Sequence, residues 1–326
     1  MARLNILVTG VGAIIGYGIV NSLRMTGRSL NIIGLDIYSD AVGQYFCDHF
    51  IQAKRADSPD YLDFLFDVIK RHHIDLVFFG TEQELYTVSD SRGTFSDYLD
   101  RLVLNSKYIV DLSKDKLKTH SFLCQNGIEA IPSRVDGSFS SLAQELGLPF
   151  ILKLRHSYAS KGIFRINDEI DFNYWKEKAS GDFMFQELVG DDSHEYTAAI
   201  FGCGEKRAPA PFVLRRRLSG EGATVKAVVE QIPELCEAVA HLADLLRPIG
   251  PTNYQFRRHH NKYLLLEINP RISSSTSIRA AFGYNEPEMC IRHYLEQGDI
   301  TMPSIRSGNA VRFISDWINY EDSPDI

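Results

Sequence analysis

The first third of the chain alternates between strand-like and helix-like hydrophobic runs, and that alternation restricts the fold more than any other feature. LNILVTG is an apolar run of strand length. GVGAIIGYGIVNSLRMTG is a glycine-rich turn feeding a helix, and NIIGLDIY is a second strand ending near Asp36. Residues 59–72, SPDYLDFLFDVIKR, carry apolar residues at helical spacing behind an Asp/Ser-type start. IDLVFFGTEQEL reads as a third strand running into a polar loop. Strand–helix–strand order of this kind builds a parallel sheet covered by helices on both faces, because parallel neighbours need a crossover.

The texture changes between about 112 and 136. SKDKLKTHSFLCQNGIEAIPS looks like a capped helix that stops at Gly127 and leaves through Pro132. FILKLRHSYASKGIFRI is then two strands joined by a small basic turn, followed by the strands FMFQELVG and HEYTAAIFG. PFVLRRRLSGEGATVKAV reads as strand–loop–strand with a basic, flexible middle. PELCEAVAHLADLLRPIG is an amphipathic helix ending in Pro and Gly, and TNYQFRRHHNKYLLLEIN is a hairpin. At 326 residues the chain is long enough for two or three domains.

Bulk composition excludes several classes. No apolar run approaches the roughly 18 residues of a membrane span, and the start MARLNILVTG lacks the apolar core of a signal peptide. Five scattered cysteines without CxxC pairs argue against a disulfide framework or a zinc site, and point to a reducing, cytoplasmic setting. A formal net charge of −7 argues against general nucleic-acid binding, though not against a small anion held by local lysine and arginine.

The stretch LLLEINPRISSSTS, from Leu264 to Ser277, carries the strongest chemical signal. Strand residues two apart share a face, so Glu267 and Asn269 point one way and Ile268 the other. A three-residue turn at His260 to Lys262 sets Gln255 opposite Glu267, with Asn261 tolerating the left-handed conformation such a turn needs. One carboxylate and two amide oxygens then converge. These are hard ligands of the kind Mg²⁺ takes in small number, with phosphates and waters completing its shell. Arg271 and the hydroxyl run from Ser273 and Ser274 onward suit an anion beside that cation. A polar strand end at the solvent rim is the plain alternative.

Three weaker signals accompany it. Lys153 sits inside an apolar strand, where a lysine is costly unless paired, and the turn of Ser160, Lys161 and Gly162 is small enough for backbone N–H groups to approach a phosphate. An ordinary hairpin turn explains the same residues. In FMFQELVGDDSHEYT, Glu187 and Glu195 bracket a loop that either meets an adenine and its ribose or is simply solvated. LVTGVGAIIGYG has the spacing GxGxxxG, not GxGxxG, so the dinucleotide reading with Asp36 on a ribose is weak. The Arg215-Arg216-Arg217 run either closes over phosphates or is solvated.

Taken in this order, the segments resemble the ATP-grasp superfamily, with a likeness to the ATP-binding halves of the carbamoyl phosphate synthase large subunit. The resemblance runs from about Leu4 to about Gly298 and rests above all on TNYQF…LLLEINPRISSSTS. It implies a Rossmann-like pre-ATP-grasp domain over residues 1–112, a small α+β lobe over 113–185 and a large lobe over 186–326. It further implies ATP between the lobes, with Lys116 and Lys153 on the phosphates and the turn from Ser160 through Lys161 to Gly162 over the triphosphate. Gln186, Glu187, Leu188 and Val189 would meet the adenine, and Glu195 the ribose. Gln255, Glu267 and Asn269 would hold Mg²⁺ or Mn²⁺. Arg271 and Lys153 would act on the transferring phosphoryl group, and Arg271, Ser273, Ser274, Gly12 and Glu82 would line the substrate pocket.

Departures from that pattern narrow the expectation. The synthase carries two such halves and this chain one. A second arginine that follows the Pro-Arg element in the family is replaced here by a hydroxyl near Ser274, and Tyr158 and Ala159 stand where small glycines are usual. Carbamoyl phosphate synthesis is therefore not expected. The expected activity is an ADP-forming ligation of a small-molecule carboxylate to an amine through an acyl phosphate. A small-molecule kinase is the alternative, and an NAD(P)-dependent oxidoreductase a more distant one. Ligases of this kind are often dimers, so a homodimer is compatible with the resemblance.

Overall fold

The computed structural model describes residues 3–156, 162–179, 181–206, 208–220 and 222–318. Ser160 and Lys161 lie outside the described residues. Strands β1 (Leu4–Val8), β2 (Leu30–Asp36), β3 (His49–Gln52) and β4 (Leu76–Phe78) form a parallel sheet in the order β3-β2-β1-β4. Helices α1 (Ile14–Arg24) and α2 (Tyr61–Arg71) are helical crossovers of this sheet, and α3 (Glu82–Asp90) follows its last strand. The period-2 rule assigns the faces: Ile6, Val8, Leu76 and Phe78 pack with Ile19 and Leu23 of α1, while Leu7 and Val77 pack with Leu65 and Ile69 of α2. The polar loop expected after β4 is instead α3, whose first turn Thr81 caps by accepting from the Glu84 N–H.

The glycine turn after β1 is a packing device. Gly10 has φ +57°, and a Cβ at Gly16 would stand 2.1 Å from the carbonyl oxygen of Gly10. Only glycine lets α1 start this close to the strand end.

Two helices, α4 (Lys107–Lys114) and α5 (Lys116–Gln125), lead out of this layer, and α5 stops at Gly127 with φ +67°. The next unit contains β5 (Ser133–Arg134), α6 (Phe139–Leu146), β6 (Phe150–Leu154), β7 (Ile163–Ile166), α7 (Glu169–Lys178) and β8 (Phe183–Glu187). Its antiparallel sheet, β5-β8-β6-β7, encloses a core of Phe150, Leu152, Phe172 and Phe185.

The remaining chain supplies β9 (Glu195–Cys203), β10 (Phe212–Leu218), β11 (Thr224–Val229), α8 (Pro233–Leu246), β12 (Ile249–His259), β13 (Lys262–Asn269), α9 (Thr276–Ala281), α10 (Glu286–Cys290) and β14 (Asn309–Val311). Its antiparallel sheet runs β13-β12-β9-β10-β11-β14. One face packs on α8 through Tyr196, Ala198 and Ile200; the other packs on the parallel layer through Ala199, Phe201, Phe212 and Leu214. Burial on both faces explains why HEYTAAIFG reads as a nearly unbroken apolar run. The basic run Arg215-Arg216-Arg217 lies within β10, not in a flexible loop. No described helix is long and apolar enough to cross a membrane, and all five cysteines are free.

The β12–β13 hairpin reaches the expected register by an unexpected route. Its turn has two residues, His260 and Asn261, at φ 45° and 63°, because His259 pairs directly with Lys262. Two consecutive left-handed residues match the twist of the flanking strands, which a three-residue turn does not require. A bulge at Leu266 then adds the missing residue, so that Gln255 stands opposite Glu267 after all. The same bulge flips the side-chain phase: Leu265 and Ile268, three apart, both face the α8 layer.

Candidate active site

The sheet register collects polar groups from four strands on one face. Going down the ladder, Arg216, Glu195 and Arg257 are cross-strand partners, then Thr197, Gln255 and Glu267, then Ala199, Asn253 and Asn269. Each row is two residues from the next, so all these side chains leave the same face. The apolar remainder of that face packs against the parallel layer; this polar half faces the cleft toward β6 of the small sheet.

Glu267 and Asn269 point as the strand period requires. Glu267 is half-buried, and the Nε2 of Gln255 lies 3.4 Å from its Oε1. The Oε1 of Gln255 accepts from Arg216 Nη2 at 2.8 Å, and the Oδ1 of Asn269 accepts from Arg271 Nη2 at 3.1 Å. The Nδ2 of Asn269 is buried without a hydrogen-bond partner among the described residues.

Cations outnumber that carboxylate. Lys153 is buried on β6, and its ammonium reaches across the cleft to donate to the carbonyl of Leu266 at 3.4 Å. Leu266 is the bulge residue, which the ladder leaves unpaired. Burial pulls the Lys153 ammonium down to about 8, opposed by Glu267 and reinforced by Lys116 and Arg257. Lys116 opens α5 and is likewise lowered by burial and raised by Glu267. Burial lowers Arg216 too, against the charges of Glu195 and Glu267. Glu267 thus faces both lysines and shares Arg216 with Glu195, so cations outnumber carboxylates around Gln255, Glu267 and Asn269.

Several expected residues are held in ways their positions did not show. Glu195, expected on a ribose, is buried, with Oε1 accepting from Arg216 at 2.8 Å and Oε2 from Arg257 at 2.9 Å. It therefore orients two arginines and offers no free oxygen. Arg271 donates to Glu82 and to the carbonyl of Ile272, so Glu82 is its ion-pair partner. Ser273 is buried and accepts from Arg279 Nη1 at 2.9 Å, which turns its hydroxyl into the core and away from the cleft. Ser274 is half-buried, and its carbonyl accepts from Arg312. Gln186 is buried and donates to the hydroxyl of Ser133 at 3.0 Å. Glu187 faces His259 Nε2 at 3.3 Å, Leu188 is half-buried, and the carbonyl of buried Val189 accepts from Arg257 Nη1 at 3.5 Å. Gly162, at φ +72°, folds its carbonyl back to accept from the N–H of Leu154. Gly12 donates its N–H to Asp36 Oδ2 at 2.8 Å.

Sequence reasoning missed Arg257, Thr197, Asn253 and Arg279. Arg257 and Asn253 flank Gln255 at a spacing of two and were findable from strand period alone. Arg279 was not, because its partners Thr197 and Asn253 lie 82 and 26 residues away.

A parallel layer followed by two antiparallel sheets, with a carboxylate–amide–lysine cleft between the sheets, defines an ATP-grasp fold. Residues 184–317 match the family described as ATP-grasp in the biosynthetic pathway with Ter operon. Residues 6–98 match the PylC-like N-terminal domain. The chain carries an ATP-grasp domain behind a PylC-like N-terminal domain. No curated protein matches it. Among solved structures, it is similar to N5-carboxyaminoimidazole synthetase from Staphylococcus aureus complexed with ADP, at 18% identity and TM-score 0.69, covering 89% of this chain and 78% of that one. It is similar to biotin carboxylase from Campylobacter jejuni in a βγ-ATP complex, at 17% identity and TM-score 0.72, covering 94% and 74%. It is also similar to the biotin carboxylase domain dimer of the Hydrogenobacter thermophilus 2-oxoglutarate carboxylase, with MgADP, ADP and bicarbonate, at 14% identity and TM-score 0.72, covering 95% and 74%. At such identities the likeness is one of fold.

Proposed function

We propose that the protein is an ADP-forming ligase that activates a substrate carboxylate with ATP and joins the acyl group to an amine. The carrying observation is the convergence of Gln255, Glu267 and Asn269 with Lys116 and Lys153 across the cleft. The set of one carboxylate and two amides would suit Mg²⁺ held jointly with phosphates once the amide oxygens of Gln255 and Asn269 turn from Arg216 and Arg271, from which they accept here. Asn269 is half-satisfied: its Oδ1 accepts from Arg271, while its buried Nδ2 has no partner among the described residues. When bound there, the divalent cation supplies charge neutralisation to the phosphate oxygens.

The chain's own residues position and neutralise. Lys116 and Lys153 hold the phosphate chain, with Lys153 bringing the small sheet onto the large one. Glu187 to Val189, joining the two sheets, supply the backbone edge for the adenine. Glu195 acts through Arg216, which in turn holds the oxygen of Gln255. Arg271, steadied by Glu82, faces the transferring phosphoryl group. In the first step a carboxylate oxygen of the substrate bonds to the γ-phosphorus as the bridging P–O bond breaks and ADP leaves. In the second, the amine nitrogen bonds to the acyl carbon, the C–O bond to phosphate breaks, and the amine sheds a proton. No side-chain nucleophile is required, and catalysis is by placement and electrostatics.

The test is ADP release from Mg²⁺-ATP with pooled carboxylic acids and hydroxylamine as amine trap. The expected products are ADP, phosphate and a hydroxamate. ADP with a stable phosphorylated product makes the protein a kinase, and no ADP from any pool removes the ligase reading. Lys153→Met is expected to weaken binding of a non-hydrolysable ATP analogue at least about tenfold, the scale of one lost charge-assisted hydrogen bond. An unchanged affinity by calorimetry removes Lys153 from the nucleotide site.

A further inference from the structure

A cavity of about 890 Å³ opens in the parallel layer, between the β1–α1 turn, the end of β2 and the start of α3. Tyr86 lines it, and burial raises the Tyr86 phenol with Glu82 and Glu267 adding to the shift and Arg271 opposing it. The lining residues Thr81 and Gln83 flank Glu82, which pairs with Arg271, so the cavity lies beside the cleft that holds Arg271.

Two buried carboxylates line this cavity with no cation bonded to either among the described residues. Glu84 is 6% exposed, and its hydrogen-bond partners are three neutral hydroxyls: Thr9 at 2.5 Å, Thr81 at 2.7 Å and Tyr61 at 3.2 Å. Asp36 is 7% exposed and, among the described residues, accepts from main-chain N–H groups alone, of Gly12 at 2.8 Å and Tyr38 at 3.1 Å. A buried charge without a counter-charge is costly, and burial accordingly raises the Glu84 carboxyl, with the three hydroxyls opposing the shift and the charge of Asp36 adding to it. The two cations in the lining do not offset it. Arg55 is spent on Asp57 through two hydrogen bonds at 3.0 and 3.1 Å, and Lys114 on Asp90 at 2.7 Å.

The same geometry turns anions away. A phosphate at a glycine turn needs the turn's N–H groups. Here the carboxylate of Asp36 already fills the position at Gly12, so a dinucleotide meets a fixed negative charge where its pyrophosphate would bind.

We propose that this cavity binds a substrate bearing a protonated primary amine, whose ammonium sits against Glu84 and Asp36 as a recognition group and is not the nitrogen that attacks the acyl phosphate. The proposal rests on the ligase reading for its placement beside the cleft. The shared chemistry is the ammonium, carried either by an aliphatic amine or by an amino acid.

Calorimetric titration of the full chain without nucleotide tests it, using 1,4-diaminobutane, lysine and succinate at one ionic strength. At least one amine is expected to bind, and succinate not. The stronger of diaminobutane and lysine identifies the source of the ammonium. Glu84→Gln, which keeps the shape and the hydroxyl contacts, and Asp36→Asn are each expected to weaken the amine at least tenfold. Both are expected to bind a non-hydrolysable ATP analogue as the unaltered chain does, which also shows that they are folded. Binding of succinate in place of the amines, silence from both amines, or an amine affinity indifferent to both substitutions overturns the proposal. The comparison of amines with succinate needs no variant and stands if either one fails to fold. Loss of analogue binding in the unaltered chain, with amine binding intact, defeats the ligase reading and leaves the ammonium pocket standing.

Discussion

Glu267→Gln is expected to abolish ADP release, by about 10²-fold or more, while the protein stays folded. Glu267 is the single carboxylate within the donor set, and its charge acts on Lys116, Lys153, Arg216 and Arg271 together. Glutamine keeps the volume and one oxygen but removes the charge that a divalent cation needs. The structural cost is small, because Glu267 is half-buried and the amide of Gln255 donates to it at a long 3.4 Å. The measurements are a coupled ADP assay and a thermal melt on the same preparation. Full turnover in the variant removes the metal assignment. A collapsed melt shows instead that Glu267 is needed as counter-charge for the surrounding cations.

Arg279→Met is expected to destabilise the protein by about 3–5 kcal/mol, the scale for breaking one side of a buried ion pair. Arg279 is wholly buried on α9. It donates to Glu286 of α10 at 3.3 Å, to Ser273 in the loop before α9, to Thr197 of β9 at 2.8 Å and to Asn253 of β12. One guanidinium therefore joins four segments that the chain brings from far apart. Its loss strands the carboxylate of Glu286, itself 1% exposed. Urea unfolding checks this. The double variant Arg279→Met with Glu286→Gln is expected to recover part of the loss, because no buried charge is then left alone. A loss below about 1 kcal/mol in the single variant sinks the assignment of Arg279 as the clamp.

These two residues show where sequence reading stops. Glu267 was legible: a strand puts residues two apart on one face, and a carboxylate and an amide at the end of LLLEIN follow from that local rule. Arg279 was not, because nothing in RISSSTSIRAAF distinguishes a buried clamp from a solvated helix arginine. The β12–β13 hairpin falls between. Its register at Gln255 and Glu267 was foreseen, yet it arises from a two-residue left-handed turn plus a bulge. A three-residue turn without a bulge gives the same pairing at the site. The bulge matters beyond register, since it frees the Leu266 carbonyl that Lys153 meets.

By itself the sequence determined the layered order, the parallel first sheet, the close glycine turn and the side chains that end β13, because each depends on contacts within a few residues or on strand and helix period. Only the tertiary structure decided that Glu195 serves two arginines, that Ser273 turns inward to Arg279, that Arg216 belongs to a strand, and that Asp36 and Glu84 face one cavity. Those outcomes depend on which strands neighbour one another and on how charges divide among competing partners. Both are settled by burying apolar faces across the whole chain, and no local pattern encodes them.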